Sequence, residues 1–236
     1  MSFASPSSTS LCRASPRGFR RPCLGSAVLI TCWSSKGGSG TTVVAAALAT
    51  LMGTEDTAAL LVDLGGDLPA ALGLPEPATG LTGWVEGEDL APLVVRAGLR
   101  LRLLPRGPGP LPSGIGPGLA AALAGQPAVV DAGVIGGTAQ AGAALDLAAV
   151  ATASLLVVRP CFLALRRAVA APLRPSGVVL VSEPERVLGP ADVEAALGVP
   201  VVAVVPWDPT VARRVDSGLL GSALPRGLAS ALRRAA

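Results

Sequence analysis

Lys36-Gly37-Gly38-Ser39-Gly40-Thr41-Thr42 is the segment of this 236-residue chain whose residue types and spacing suit anion binding. Glycines let a backbone turn its N–H groups inward around a charge. A helix starting at Thr41 would add the partial positive charge of its N-terminus. The hydroxyl of Thr42 suits a Mg²⁺ coordination shell. Lys36 is the one lysine among 19 basic residues, so a chain that uses arginine everywhere else keeps lysine here. The bland alternative is a flexible GGSG turn. Two acids, Asp63 and Asp131, close the apolar runs LLVD and AVVD. A charge placed directly after a buried run rarely lacks a partner.

Placing these residues requires strands that end beside one another. SAVLITCW (26–33) reads as a strand running into the glycine loop, and TTVVAAALATLM (41–52) as the helix leaving it. Further strands are expected at 58–63, 99–105, 127–133, 154–160, 176–182 and 199–206. LRLRLLP (99–105) alternates Leu with Arg, which suggests an edge strand with one polar face. The strand at 127–133 is expected to end at its acid. Helices are expected at 114–125, 138–151, 161–171, 190–197, 209–219 and 225–235. Alternating strands and helices, with several strands apolar throughout, imply a three-layer α/β/α fold with a mostly parallel sheet. Ligands of such folds sit at the carboxyl ends of the strands. One domain over 26–236 is expected, after an Arg/Ser/Pro-rich leader at 1–25.

KGGSGTT resembles the deviant Walker A loop, KGGxGKTT, of the ParA/MinD superfamily of P-loop ATPases (CobQ/CobB/MinD/ParA). The style is closest to its degenerate TadZ/CpaE-like members, and the likeness extends over most of 26–220. The resemblance implies ATP or ADP bound with Mg²⁺. It implies that Lys36 reaches the partner's phosphates across a nucleotide-dependent homodimer, and that Thr42 and Asp131 serve the metal. The second lysine of the pattern falls on Thr41, which implies weak or absent hydrolysis. The strand ending at Asp63 usually continues to a second acid that positions the attacking water; Gly65 stands there instead. Two readings of Asp63 stay open, a catalytic one and a cap on the following turn. For Asp131 the alternative is a loop cap. AGVIGGT (132–138) resembles a switch loop or forms a plain turn. Pro206, Trp207 and Asp208 would line the base pocket, or Trp207 fills core. Arg159 stands where the family often carries a base-reading Asn. An arginine accepts no hydrogen bond, which leaves phosphate, ribose or a protein partner for it.

Composition sets exclusions. The chain has no His, which removes Ser-His-Asp and Cys-His catalysis and every His-ligated metal site within it. It is 50% hydrophobic and 15% charged, enough apolar material for a sizeable core. The net charge of +3 comes from four leader arginines; without them 15 basic residues face 16 acidic ones. DNA binding therefore rests on Arg213 and Arg214 alone, a pair that also suits a solvated helix face. Leu224, Leu228 and Leu232 follow helical spacing, open to a membrane surface or to docking on the body. Cys12, Cys23, Cys32 and Cys161 lack metal-ligand spacing and read as free thiols. The resulting expectation is a cytoplasmic localisation or assembly factor, held peripherally at the membrane or a cell pole. Its partners would belong to a pilus, secretion, division or partition machine. An active partitioning ATPase and a nucleotide-free scaffold are the alternatives.

Overall fold

Residues 28–136 and 141–236 are described by the computed structural model. Eight strands form one sheet: β1 (Leu29–Ser34), β2 (Ala59–Asp63), β3 (Val95–Arg96), β4 (Leu101–Leu104), β5 (Ala128–Val134), β6 (Ala153–Val158), β7 (Gly177–Ser182) and β8 (Val201–Pro206). Their order is β3-β4-β2-β5-β1-β6-β7-β8, and β3 alone runs antiparallel. β2 and β6 are buried along their whole length, because helices cover both faces.

The helices are α1 (Thr41–Met52), α2 (Leu68–Ala71), α3 (Leu81–Val85), α4 (Leu90–Leu93), α5 (Gly116–Ala122), α6 (Ala141–Val150), α7 (Phe162–Val169), α8 (Pro190–Leu197), α9 (Pro209–Asp216) and α10 (Arg226–Leu232). One core lies between the sheet and α1, α2 and α10, around Leu48, Leu61, Leu68 and Leu232. The other lies beneath α3 to α8, around Trp33, Leu60, Leu119, Leu147 and Val193. Period-two strands divide their side chains between these two cores, so Leu60 and Leu61 face opposite ways. The three-layer α/β/α arrangement is as expected.

Two expectations need correction. The Leu/Arg run is not an edge strand: β4 lies between β2 and β3. Its arginine alternation is met by protein, because Arg102 Nη2 donates to Gln126 Oε1 at 2.7 Å. The strand around Asp131 does not stop at the acid but continues to Val134, so Asp131 sits within the ladder. The short elements α2, α3, α4 and β3 carry too few residues for periodicity to reveal them. The leader, Cys12, Cys23, part of the expected switch loop and the first residues of the helix expected at 138–151 lie outside the described residues. The tail docks: Leu228 and Leu232 are buried in the α1 core, leaving Arg226, Arg233 and Arg234 exposed. Among the described residues no helix is long and apolar enough to cross a membrane.

Candidate functional site

The glycine loop is braced where it leaves β1. Trp33 Nε1 donates to Ser154 Oγ at 2.9 Å. Ser34 Oγ donates to the Gly133 carbonyl at 3.3 Å, and Ser35 Oγ to the Ala164 carbonyl at 2.9 Å. These bonds fix the loop to β6, to β5 and to α7. Ser39 Oγ then closes it by donating to the Lys36 carbonyl at 2.7 Å. Gly38 and Gly40 take φ of 75° and 95°, the left-handed region that side chains resist. A Cβ at Gly37 or Gly38 would meet nothing within 4 Å, so the loop's glycines face open space. Gly40 supplies no side-chain cap to α1, and the first turn holds no acid. That leaves the N-terminal amides of a 12-residue helix to an outside anion. Thr41 is buried at the first position of that helix, and Lys36 is half-buried.

Parallel register sets three titratable groups side by side: Cys32 pairs with Asp131, and Asp131 with Asp63. Both carboxylates are fully buried. Asp63 is satisfied from within, Oδ1 accepting from Gly66 N at 2.6 Å and Oδ2 from Leu68 N at 3.2 Å. This geometry matches the cap reading of Asp63, bracing the turn that opens α2. Asp131 differs. Its Oδ1 accepts from Gly133 N at 3.1 Å, while Oδ2 is buried and finds no well-formed hydrogen bond among the described residues. Burial pushes its pKa up, and the nearby Thr42 hydroxyl pulls it partly back. An orphaned carboxylate oxygen facing a threonine hydroxyl is the oxygen-donor chemistry Mg²⁺ takes. The residues therefore fit the metal. Burial, together with Asp131, pushes the Cys32 thiol up, so it stays protonated. Gly65 lies where a third acid would crowd both others: a Cβ there would start 3.7 Å from Asp63 Oδ1 and 3.9 Å from Asp131 Oδ2.

Burial pushes Asp63 up to about 6 from an ordinary 3.8, with the neighbouring Asp131 adding to the effect. The unfolded chain thus gives up this proton first. Stability of the ligand-free protein should fall as pH rises from about 4 to 6, on the order of 3 kcal/mol for this group, and then level off. Glu183 works oppositely, because hydrogen bonding from Arg186 lowers its pKa; its contribution is lost only below 4.5. Thermal unfolding followed from pH 7.5 to 5 should therefore show Tm rising. A fall over that interval would contradict the buried-charge account.

A cavity of about 250 Å³ opens beside Gly40, walled by Val43 and Val44 of α1 and by Val181 and Val205 of the sheet. Its lining includes Arg159, Pro206, Trp207 and Asp208. Trp207 is 46% exposed, so it is not core filling, and its indole offers a stacking face. Asp208 caps α9, its Oδ1 accepting from Thr210 N at 2.7 Å; the hydroxyl and amide of Thr210 lower its pKa. Arg159 Nη1 donates to Glu183 Oε1 at 2.9 Å, and Arg186 holds the other Glu183 oxygen. Glu183 was missed in the sequence, although it follows an apolar strand just as closely as the two aspartates do. Arg106 was missed as well. It lines a second hollow of about 340 Å³ with Gly65, Asp67 and Gly133, and its Nη1 donates to the Gly65 carbonyl at 3.4 Å. Arg213 and Arg214 fall in the last turn of α9, where cations suit the helix dipole.

Comparison with curated protein sequences finds no match. Solved structures do match. The septum site-determining protein MinD of Pyrococcus horikoshii, complexed with Mg-ADP, superposes with a TM-score of 0.71 at 22% identity, covering 88% of this chain and 93% of that one. A ParA family ATPase from Chlorobium tepidum gives 0.68 at 18%, covering 87% and 96%. A chain of the MinC:MinD cell division protein complex of Aquifex aeolicus gives 0.68 at 21%, covering 81% and 86%. At these identities the likeness carries the fold. The family model described as CobQ/CobB/MinD/ParA nucleotide binding domain matches residues 30–220, the span that holds the glycine loop, both buried aspartates and most of the cavity beside Gly40. With that match over most of its length, the chain belongs to the CobQ/CobB/MinD/ParA nucleotide-binding family.

Proposed function

We propose that this protein binds ATP or ADP with Mg²⁺, hydrolyses it weakly or not at all, and acts as a localisation or assembly factor through protein partners. The observation that carries the reading is the convergence at the edge of the sheet formed by the strands' carboxyl ends. An uncapped helix N-terminus, the left-handed glycines of the loop and an orphaned Asp131 oxygen share that edge with a cavity for the rest of a nucleotide. Lys36 to Thr42 hold the phosphates through backbone amides and the Lys36 ammonium. Thr42 and Asp131 hold Mg²⁺, which supplies charge neutralisation of the phosphates when bound. Pro206 and Trp207 cover the base.

Weak hydrolysis follows from two residues. Thr41 offers a neutral hydroxyl where a lysine ammonium would neutralise phosphate charge, and Gly65 offers no carboxylate to orient water. The similar structure of a MinC:MinD cell division complex supports binding of a protein partner; a nucleotide-dependent homodimer belongs to the same reading. The exposed Phe162 and Leu163 on α7, flanked by Arg166 and Arg167, suit a protein contact. In this reading the protein works in the cytoplasm, at the membrane or a cell pole only through those partners.

Calorimetric titration with Mg-ATP and Mg-ADP tests the reading. Saturable binding of both is expected, with the preference for ATP reduced about tenfold or more in Lys36→Ala. Absence of heat with either nucleotide, from protein shown to be folded, would leave a scaffold that uses the fold without its ligand.

A further inference from the structure

We propose that the cavity beside Gly40 selects guanine over adenine, an inference that rests on the nucleotide-binding reading of the same site. The cavity is slightly smaller than the roughly 300 Å³ or more typical of a whole ligand site, so it suits a base and sugar whose phosphates lie outside on the loop.

Its polar groups divide into a donor and an acceptor. The donor is Arg159. Among the described residues it makes one hydrogen bond, from Nη1 to Glu183, and that bond holds the guanidinium in place. The other side of the fork, Nε and Nη2, is uncommitted, and Nε is a buried atom with no partner. A buried N–H without an acceptor is costly. A ligand that brings two acceptors at fork spacing removes that cost. Guanine presents O6 and N7 in that arrangement, whereas adenine presents N7 beside an N6 amino group that is itself a donor. Arginine has no lone pair to offer that amino group.

The acceptors are the carboxylates of Asp208 and Asp216, which line the same cavity. Guanine carries N1–H and N2–H₂ donors on its far edge to meet a carboxylate. Adenine has an unprotonated N1 and no amino group at position 2. A donor fork and carboxylates lining one cavity therefore complement guanine at O6, N7, N1 and N2, whereas adenine, whose N7 takes one N–H and whose N6 amino group can meet a carboxylate, is matched only in part. Trp207 stacks on either purine and does not discriminate.

The test is tryptophan fluorescence and calorimetric titration of the full chain with Mg-GDP and Mg-ADP side by side. Mg-GDP is expected to bind about tenfold more tightly, within the roughly 5- to 150-fold that a bidentate arginine–guanine pair is worth. Arg159→Asn replaces the donor fork with an amide that both donates and accepts; it should erase the preference or turn it toward Mg-ADP. Glu183→Gln frees the guanidinium and should reduce discrimination with little change in Mg-ADP affinity. Equal or tighter binding of Mg-ADP by the wild-type chain overturns the inference and leaves nucleotide binding intact. An unchanged ratio in folded Arg159→Asn overturns the assignment to Arg159. Binding of neither nucleotide overturns the nucleotide reading and the inference with it.

Discussion

Replacing Thr41 with lysine is expected to raise ATP turnover by about 10²–10³-fold over the wild-type chain, the scale on which one preorganised electrostatic donor acts. Thr41 is the first residue of α1 and is buried beneath the loop. A lysine here is long enough to extend from the start of α1 toward a loop where a Cβ at Gly37 or Gly38 would meet nothing within 4 Å. The left-handed glycines and the uncapped start of α1 are already in place, so the substitution adds charge to a formed loop and does not build one. Binding should tighten less than turnover rises, because the amides hold the ground state while the ammonium meets charge that develops later. Phosphate release under excess Mg-ATP gives the rate, and a melting curve shows that the fold survives. Vigorous release by the wild-type chain would contradict weak hydrolysis. No gain in folded Thr41→Lys would move the defect to Gly65.

Asp131→Asn should separate stability from function. The orphaned Oδ2 lies in a fully buried carboxylate that shares its register position with Asp63. Two carboxylates in such a place repel, and each is poorly solvated. An amide keeps an oxygen for Gly133 N, removes the charge, and turns the orphaned corner into a donor facing the Thr42 hydroxyl. Tm of the ligand-free protein should rise by several degrees at pH 7.5, with a shallower pH dependence between about 4 and 6. Nucleotide affinity should lose its response to Mg²⁺, by about 10- to 100-fold, since an amide neither carries charge nor competes for a hard cation. Calorimetry with and without Mg²⁺ reads the second effect. A destabilised variant would mean that the charge has a partner in the apo protein.

Much of this was readable in the residues because the informative segments are long or chemically unusual. α1 runs over Thr41–Met52, the same residues as its Ala/Val/Leu-rich stretch, since a glycine stands at each end. β2, β6 and β7 follow apolar runs that only a doubly covered sheet can use. The loop was legible because glycine has few other reasons to recur three times in four residues between a strand and a helix. What stayed hidden depends on partners remote in sequence. Nothing in LRLRLLP tells that Gln126 meets Arg102 and that β3 closes the edge. Nothing around Asp63 tells that Gly66 N and Leu68 N each donate to one of its oxygens, the geometry of a turn brace. The tie between Arg159 and Glu183 crosses from the end of β6 to the segment after β7, and only the sheet order makes them neighbours.

The position of β1 has a consequence in time. The first strand in the chain is central in the sheet, and its two neighbours come late: Leu29 aligns with Ala128, and Ile30 with Ala153. A ribosome has therefore translated more than half of the protein before the strand that carries the glycine loop can acquire either partner. Closing such distant contacts costs entropy that local pairs do not, and it slows folding. Until β5 and β6 emerge, Ile30 and Trp33 have no sheet to bury them, and the nascent chain presents an apolar strand with two unpaired edges. The loop's bracing bonds to Gly133 and Ser154 wait for those same strands, and the bond to Ala164 waits for α7. Nucleotide competence thus arrives late in synthesis, and bound nucleotide marks a molecule that has finished folding.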